Sequence, residues 1–178
     1  ANIVAGNLAV FNLLRKLNTL LNYQKQIIEP VRGKKTAFIE MQPTLHLLED
    51  DIQLDLDSLS FLLNSDDPNL LGELSVEKSK FQRVLDAINE RSKLHLSQIQ
   101  PILERAGIVE GADYTFQQIE QALGNRLYVT MYQATDQVID HVDSTITSLQ
   151  EVGKKLTDIM KKLYPDEKII SLAAPENG

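Results

Sequence analysis

The chain has 178 residues, 43% hydrophobic and 24% charged, a length and composition that allow one domain with a real core and argue against disorder. Its net charge of -7 disfavours nucleic acid and anionic membrane surfaces as partners. It has no Cys, which excludes disulfides, thiolate metal sites and cysteine nucleophiles.

The first six residues are apolar but soon give way to Asn7, Asn12, Arg15 and Lys16, so the basic start and long apolar core of a signal peptide are not seen. No apolar run reaches the roughly 18 residues of a membrane span. These features point to the cytoplasm; a signal or anchor encoded further upstream would be invisible in this stretch. A first helix is expected over about residues 7–29, with Val4, Leu8, Phe11, Leu14, Leu17 or Asn18, Leu21 and Ile28 on its apolar face. Pro30 stops it. The basic turn from Val31 to Lys35 then complements the helix dipole, a reading preferred to phosphate binding.

Between Thr36 and Leu56 the helical period fades. Ala37–Met41 reads as a short extended piece that pairs with Ile169–Leu172, and a turn of helix is expected near Leu45–Leu48. Nine acids from Glu49 to Glu77, including Asp50 and Asp51, come with no Lys or Arg among them. Their spacing does not match a calcium loop, so capping is the better account: Asp57 for a short helix over 58–63, and Asp67 for the next helix. Asp67-Pro68 is a strong start signal. A second long helix runs from Pro68 towards Ala106, with Leu74, Phe81, Ile88, His95 and Ile102 in one seven-residue column and Lys78, Leu85, Ser92, Ile99 and Ala106 in its neighbour. Pro101 must kink or restart it, and Gly107 ends it.

Thr115 and Gln118 match a capping box. The last helix, to Tyr164, is broken near Gly124-Asn125. Met131, Val138, Thr145, Val152 and Ile159 form one of its columns, and Thr135, Val142, Leu149, Leu156 and Leu163 the other. The expected fold is all-α. It is an elongated antiparallel bundle of three long helices plus one short helix, with an irregular segment (about 30–56) packed against them. The whole of 1–178 forms a single domain, with 175–178 a loose tail. Antiparallel packing about the short link places His95 opposite Arg126 and Leu127, and Ser92 opposite Tyr128 and Val129. Ser92, His95, Arg126 and Tyr128 are therefore the expected polar seam or pocket. At about 1.5 Å per residue the last helix outreaches the first. Val152, Leu156, Ile159 and Leu163 are then left as a candidate interaction face, covered by the 36–63 segment or by a second copy.

The three histidines, His46, His95 and His141, lie in no metal-protease or di-iron motif. Asp136, Asp140 and Asp143 share a helix side near His141, which reads as a solvated acidic face rather than a metal site. A phosphotransfer role for His141 is disfavoured by those acids. No phosphate loop or hydrolase elbow occurs. Non-catalytic work through a protein partner or self-association is the leading expectation, without cofactor, metal or catalytic residues. A ligand-binding sensory bundle, tied to a membrane-associated signalling system, is the first alternative. A metal-dependent enzyme is the second.

Overall fold

A computed structural model describes residues 1–45 and 53–172. Its elements are α1 (Asn2–Tyr23), a π-helical turn (Gln24–Ile28), α2 (Ala37–Glu40), a 3-10 helix (Asp57–Asn64), α3 (Leu70–Leu94), a second π-helical turn (His95–Ile99), α4 (Gln100–Arg105) and α5 (Phe116–Leu163). No strand occurs among the described residues, so the fold is all-α. None of the described helices is long and apolar enough to cross a membrane. The expected extended piece at Ala37–Met41 is instead the single turn α2, closed by Glu40 N–H to Thr36 O at 3.0 Å and Met41 N–H to Ala37 O at 2.9 Å. A lone strand would leave its N–H and C=O groups unmet, whereas a helical turn satisfies them locally. The expected helical turn at Leu45–Leu48, the acids Glu49, Asp50 and Asp51, His46 and the end of the tail lie wholly or largely outside the described residues.

The contacts fall into two compact units. In its described part, unit 1 holds residues 1–22, 53–83 and 143–172, and unit 2 holds residues 23–45 and 84–142. In unit 1, α1 buries Val10, Leu13, Leu17 and Leu20, α3 buries Leu74 and Phe81, and α5 buries Leu149, Leu156 and Met160. Here α3 and α5 run antiparallel, since Glu77 meets Ser148, Glu73 meets Lys155 and Asp66 meets Lys162. The 3-10 helix is opened by Asp55, whose Oδ1 accepts N–H bonds from Asp57 (3.1 Å) and Ser58 (3.3 Å); Asp57, the expected cap, is one of the residues being capped. Asp67 does cap, accepting from Asn69 N–H at 3.2 Å.

Unit 2 is built around Phe38, Ile99, Leu103, Ile108, Ile119, Leu123 and Met131. Its two π-helical turns share one cause. Each ends at the residue before a proline, Glu29 before Pro30 and Gln100 before Pro101. That residue donates its N–H five positions back, to Gln24 O and His95 O respectively. A proline ring clashes with the carbonyl four residues earlier in an ordinary helix. Widening the preceding turn moves that carbonyl aside, so Pro101 opens α4 without ending the helical path. After α4, Ile108 N–H bonds to Leu103 O at 2.9 Å and Gly107 N–H to Glu104 O at 3.1 Å, the paired closure of a helix C-terminus. The capping box forms as expected: Thr115 N–H donates to Gln118 Oε1 at 2.7 Å, and Gln118 N–H to Thr115 Oγ1 at 3.2 Å.

The break in α5 is Gly124, at φ 74°, ψ 157°. That region is essentially closed to residues with a Cβ, at a cost of about 1–3 kcal/mol. Gly124→Ala is therefore expected to lower the urea-unfolding free energy by about that amount. Gly72→Ala, at a helical position with open space around it, should raise stability by up to about 1 kcal/mol. Equal responses from the two variants would show that the Gly124 conformation is not required.

Candidate functional site

The most unusual chemistry in unit 2 is the burial of Arg91, which is 1% exposed. Its Nε donates to Thr135 Oγ1 at 2.8 Å, and its Nη2 donates to the carbonyl oxygens of Phe38 (3.2 Å) and Met41 (2.9 Å). One turn on, His95 Nε2 lies 3.2 Å from Ile39 O, and Thr44 N–H donates to Ser92 Oγ at 3.0 Å. Residues 38–44 are thus fastened to one side of residues 91–95. Among the described residues, no hydrogen-bond partner is found for three buried polar atoms of this junction: Arg91 Nη1, His95 Nδ1 and Thr44 Oγ1.

Burial lowers the Arg91 guanidinium to about 10, against the opposing pull of the Tyr23 hydroxyl, so it stays charged at neutral pH. Burial likewise pushes Tyr23 up to about 12, against the attraction of Arg91, so Tyr23 stays neutral. For His95, burial lowers the pKa, the bond to Ile39 O raises it and the Arg91 charge lowers it, for a net fall below 6.5. The ring is neutral at pH 7 and Nε2, facing a carbonyl, carries the proton.

Of the expected seam, Ser92 and His95 are buried as polar groups, but their partners are residues 39–44 rather than Tyr128. Tyr128 is half-buried and meets Phe38 edge-on at 5.2 Å and Phe116 at 5.8 Å. Its pKa is raised, by desolvation first and then by Glu120 and Tyr132. Arg126 is exposed. The four residues therefore do not form one pocket. The expected register would set Arg91 opposite Thr130, whereas it reaches Thr135, five residues further along. The expectation took the inter-helix link as symmetric. The π-helical turn before Pro101 and the break at Gly124 make it asymmetric. A cleft of about 500 Å³ also lies in unit 2, with Ile27, Ile39, Leu103 and Ile108 among its apolar lining and Lys34, Glu40, Glu110 and Asp113 among its charged lining. Lys34 lies 3.7 Å from Glu40 within it.

In unit 1 the expected interaction face on α5 is largely closed. Val152 and Leu156 are buried and Ile159 is half-buried; Leu163 alone of the four is exposed. The cover comes from α1 and the tail of the chain itself. A Cβ at Gly6 would overlap Met160, and one at Gly153 would overlap Leu172, so both glycines permit close approach to or by α5. Thr157 Oγ1 also donates to Ile170 O at 3.4 Å. The open apolar row lies on α1 instead: Val4, Leu8 and Phe11 are 69%, 55% and 45% exposed. They were expected on the buried face. The helix buries instead the row on its opposite side, Val10, Leu13, Leu17 and Leu20.

Among the described residues, no group of three or more His, Asp or Glu side chains is placed to hold a metal ion. No known protein family, curated protein or solved structure matches the chain.

His95 gives unit 2 a pH dependence of definite sign. Its folded-state pKa is depressed, so between that value and 6.5 the unfolded chain binds a proton that the folded chain does not. The contribution is complete above 6.5 and is lost as pH falls from 6.5 to the folded value. In urea unfolding at mildly acidic and mildly alkaline pH, His95→Gln should lose less stability on acidification than the parent chain. The same loss in both would remove His95 as a source of the pH dependence.

Proposed function

We propose that this chain is a non-catalytic helical module that works through protein–protein contact, and that its partner is a second copy of itself. The observation that carries the reading is the row Val4, Leu8 and Phe11, open to solvent along one face of α1. Residues four and three apart lie on one side of a helix, so the row is a continuous stripe rather than scattered apolar groups. Stripes of this kind are common contact surfaces.

Charge favours a second copy as the occupant. On a chain of net charge -7, α1 contains no acidic residue, so two α1 faces meet without carboxylates of that helix opposing one another. Two-fold contacts are self-complementary. An antiparallel pairing centred between Asn7 and Leu8 sets Val4 of one copy against Phe11 of the other. It also carries the two Arg15 side chains to opposite ends, about 20 Å apart at 1.5 Å per residue. Arg15 lies over the Phe11 ring at 6.0 Å, so the cation borders the stripe rather than interrupting it. Ile170, 41% exposed and joined through its N–H to Asn7, widens the apolar surface. The elongated antiparallel arrangement of three long helices expected from the sequence belongs to this proposal, since it gives such a module its extended α1 face.

A second reading, ligand binding, is favoured by the cleft of about 500 Å³ in unit 2, a volume within the usual range of small-molecule sites.

Sedimentation velocity across the micromolar range tests the first reading. The parent chain should show concentration-dependent association, and Leu8→Glu, at an exposed position, should abolish it while leaving the helical circular dichroism unchanged. A parent chain that stays monomeric throughout, or a Leu8→Glu variant that associates as the parent does, would overturn it.

A further inference from the structure

We propose that the cleft of unit 2 binds a short linear aliphatic diamine. The proposal rests on the second reading above, ligand binding in that cleft, and names its chemistry; self-association uses other residues. The cleft has a volume of about 500 Å³, and all of its lining belongs to unit 2. Val31, Leu103 and Ile108 of that lining are buried, and Ile27 and Ile39 are half-buried. Small-molecule sites combine such an apolar lining with a few polar groups that decide what is held.

The charged lining is unbalanced. Lys34 is the sole cation among the described lining residues, and Glu40, 3.7 Å away, offsets it. Glu110 and Asp113 remain, and among the described residues no cation pairs with either. Both stand on the connection between α4 and α5. There Ala112 N–H bonds to Val109 O at 3.0 Å and Gly111 takes φ 82°, a tight turn with Glu110 just before its glycine and Asp113 just after the turn. The backbone adds charge of the same sign. The helical path from Asn2 to Ile28 ends at the cleft, where Gln26, Ile27 and Pro30 line it, and the path from Leu70 to Arg105 ends there through Leu103. Helix C-termini carry partial negative charge, and Pro30 has no N–H with which to cover one of the last carbonyls. A cleft lined by one sign of charge concentrates ligands of the other.

These features separate the chemical classes. An anion meets the wrong charge. A divalent metal ion needs several oxygen ligands converging on one point, and among the described residues no three His, Asp or Glu side chains do so. A metal ion also leaves the apolar lining wet. A monoamine answers one of the two unpaired carboxylates and leaves the other. A diamine brings one ammonium group to each of Glu110 and Asp113, and its methylene spacer takes apolar surface out of water against the rest of the lining.

The test is a titration of the intact chain at neutral pH and low salt with cadaverine, pentylamine, pentanol and magnesium chloride, followed by backbone amide resonances. Cadaverine should give a saturable one-site shift of residues 26–31 and 108–114, and added sodium chloride should weaken it. Pentylamine should bind about fivefold more weakly, the worth of one exposed ion pair. Pentanol should be weaker still, and magnesium should give no saturable shift of these residues. Glu110→Gln and Asp113→Asn, both at exposed positions, should each bring cadaverine down to the affinity of pentylamine. Pentylamine or pentanol binding as tightly as cadaverine would overturn the diamine while leaving the cleft a ligand site. Resonances of the cleft indifferent to all three organic probes would overturn the diamine and the ligand-binding reading together. Magnesium acting as cadaverine does would reduce the effect to charge alone and overturn the diamine. Saturable shifts confined to other residues would overturn the site.

Discussion

In unit 2 a charged guanidinium is held by main-chain carbonyls rather than by a carboxylate. Phe38, Ile39 and Met41 supply carbonyl oxygens to Arg91 and His95. These are carbonyls from the last part of α2 and the residue after it, groups that a helix of one turn cannot satisfy within itself. The side chains of Arg91 on α3 and of His95 in the turn after it therefore do for α2 what a capping residue does for a longer helix, and the Arg91 cation meets the negative end of its peptide dipoles. A carboxylate in the same place would have attracted Arg91 more strongly, but two desolvated ions in a core cost several kcal/mol each before they attract. The carbonyls need partners in any case. One buried arginine thus sets the position of Phe38, and with it the edge-on contacts to Phe116 and Tyr128.

Unit 1 places polar groups in its interior by a different chemistry. Glu77 is buried, accepts from Ser148 Oγ at 2.8 Å and lies 3.5 Å from Lys80, whose side chain reaches solvent. Lys16 is fully buried, with its Nζ 4.4 Å from the centre of the Phe81 ring. The ring face offers this ammonium partial negative charge. Such contacts add less to stability than apolar packing would, but they are specific to register. A slip of one helix past another strands Glu77 away from Ser148, whereas an apolar pair would find a near-equivalent partner.

The sequence made α5 legible because its two buried columns are apolar or Thr nearly throughout, and Met131, Val138, Thr145 and Val152 are all buried. The helix starts and stops were legible for the same kind of reason. The Thr115–Gln118 box, Gly107 and Gly124 act through their own backbone and nearest neighbours. In α3, a third buried column was hidden: Leu70, Glu77, Val84 and Arg91 recur every seven residues. Two of its four members are charged, so it reads as solvent-facing until its partners are known. Nothing local to Arg91 announces that its carbonyl partners lie some 50 positions earlier. The clue lies in the periodicity, since a lone cation that keeps step with apolar positions deserves to be tested as buried.

Asn7 decides which apolar row of unit 1 stays open. Its amide donates to Lys168 O at 3.0 Å and accepts from Ile170 N–H at 2.9 Å, so one side chain meets the tail backbone as a neighbouring strand would. On the helix wheel Asn7 lies to one side of Val4, Leu8 and Phe11, while Asn12, which donates to Gln53 O at 3.0 Å, lies to the other. Both flanking segments are therefore held at the borders of the row rather than across it. From its border position the tail continues onto α5, where Gly153 leaves room for Leu172. The same hydrogen bonds that close the apolar end of α5 thus keep the tail off α1. An apolar residue in place of Asn7 would lengthen the α1 stripe while removing the polar contacts that fix the tail beside it.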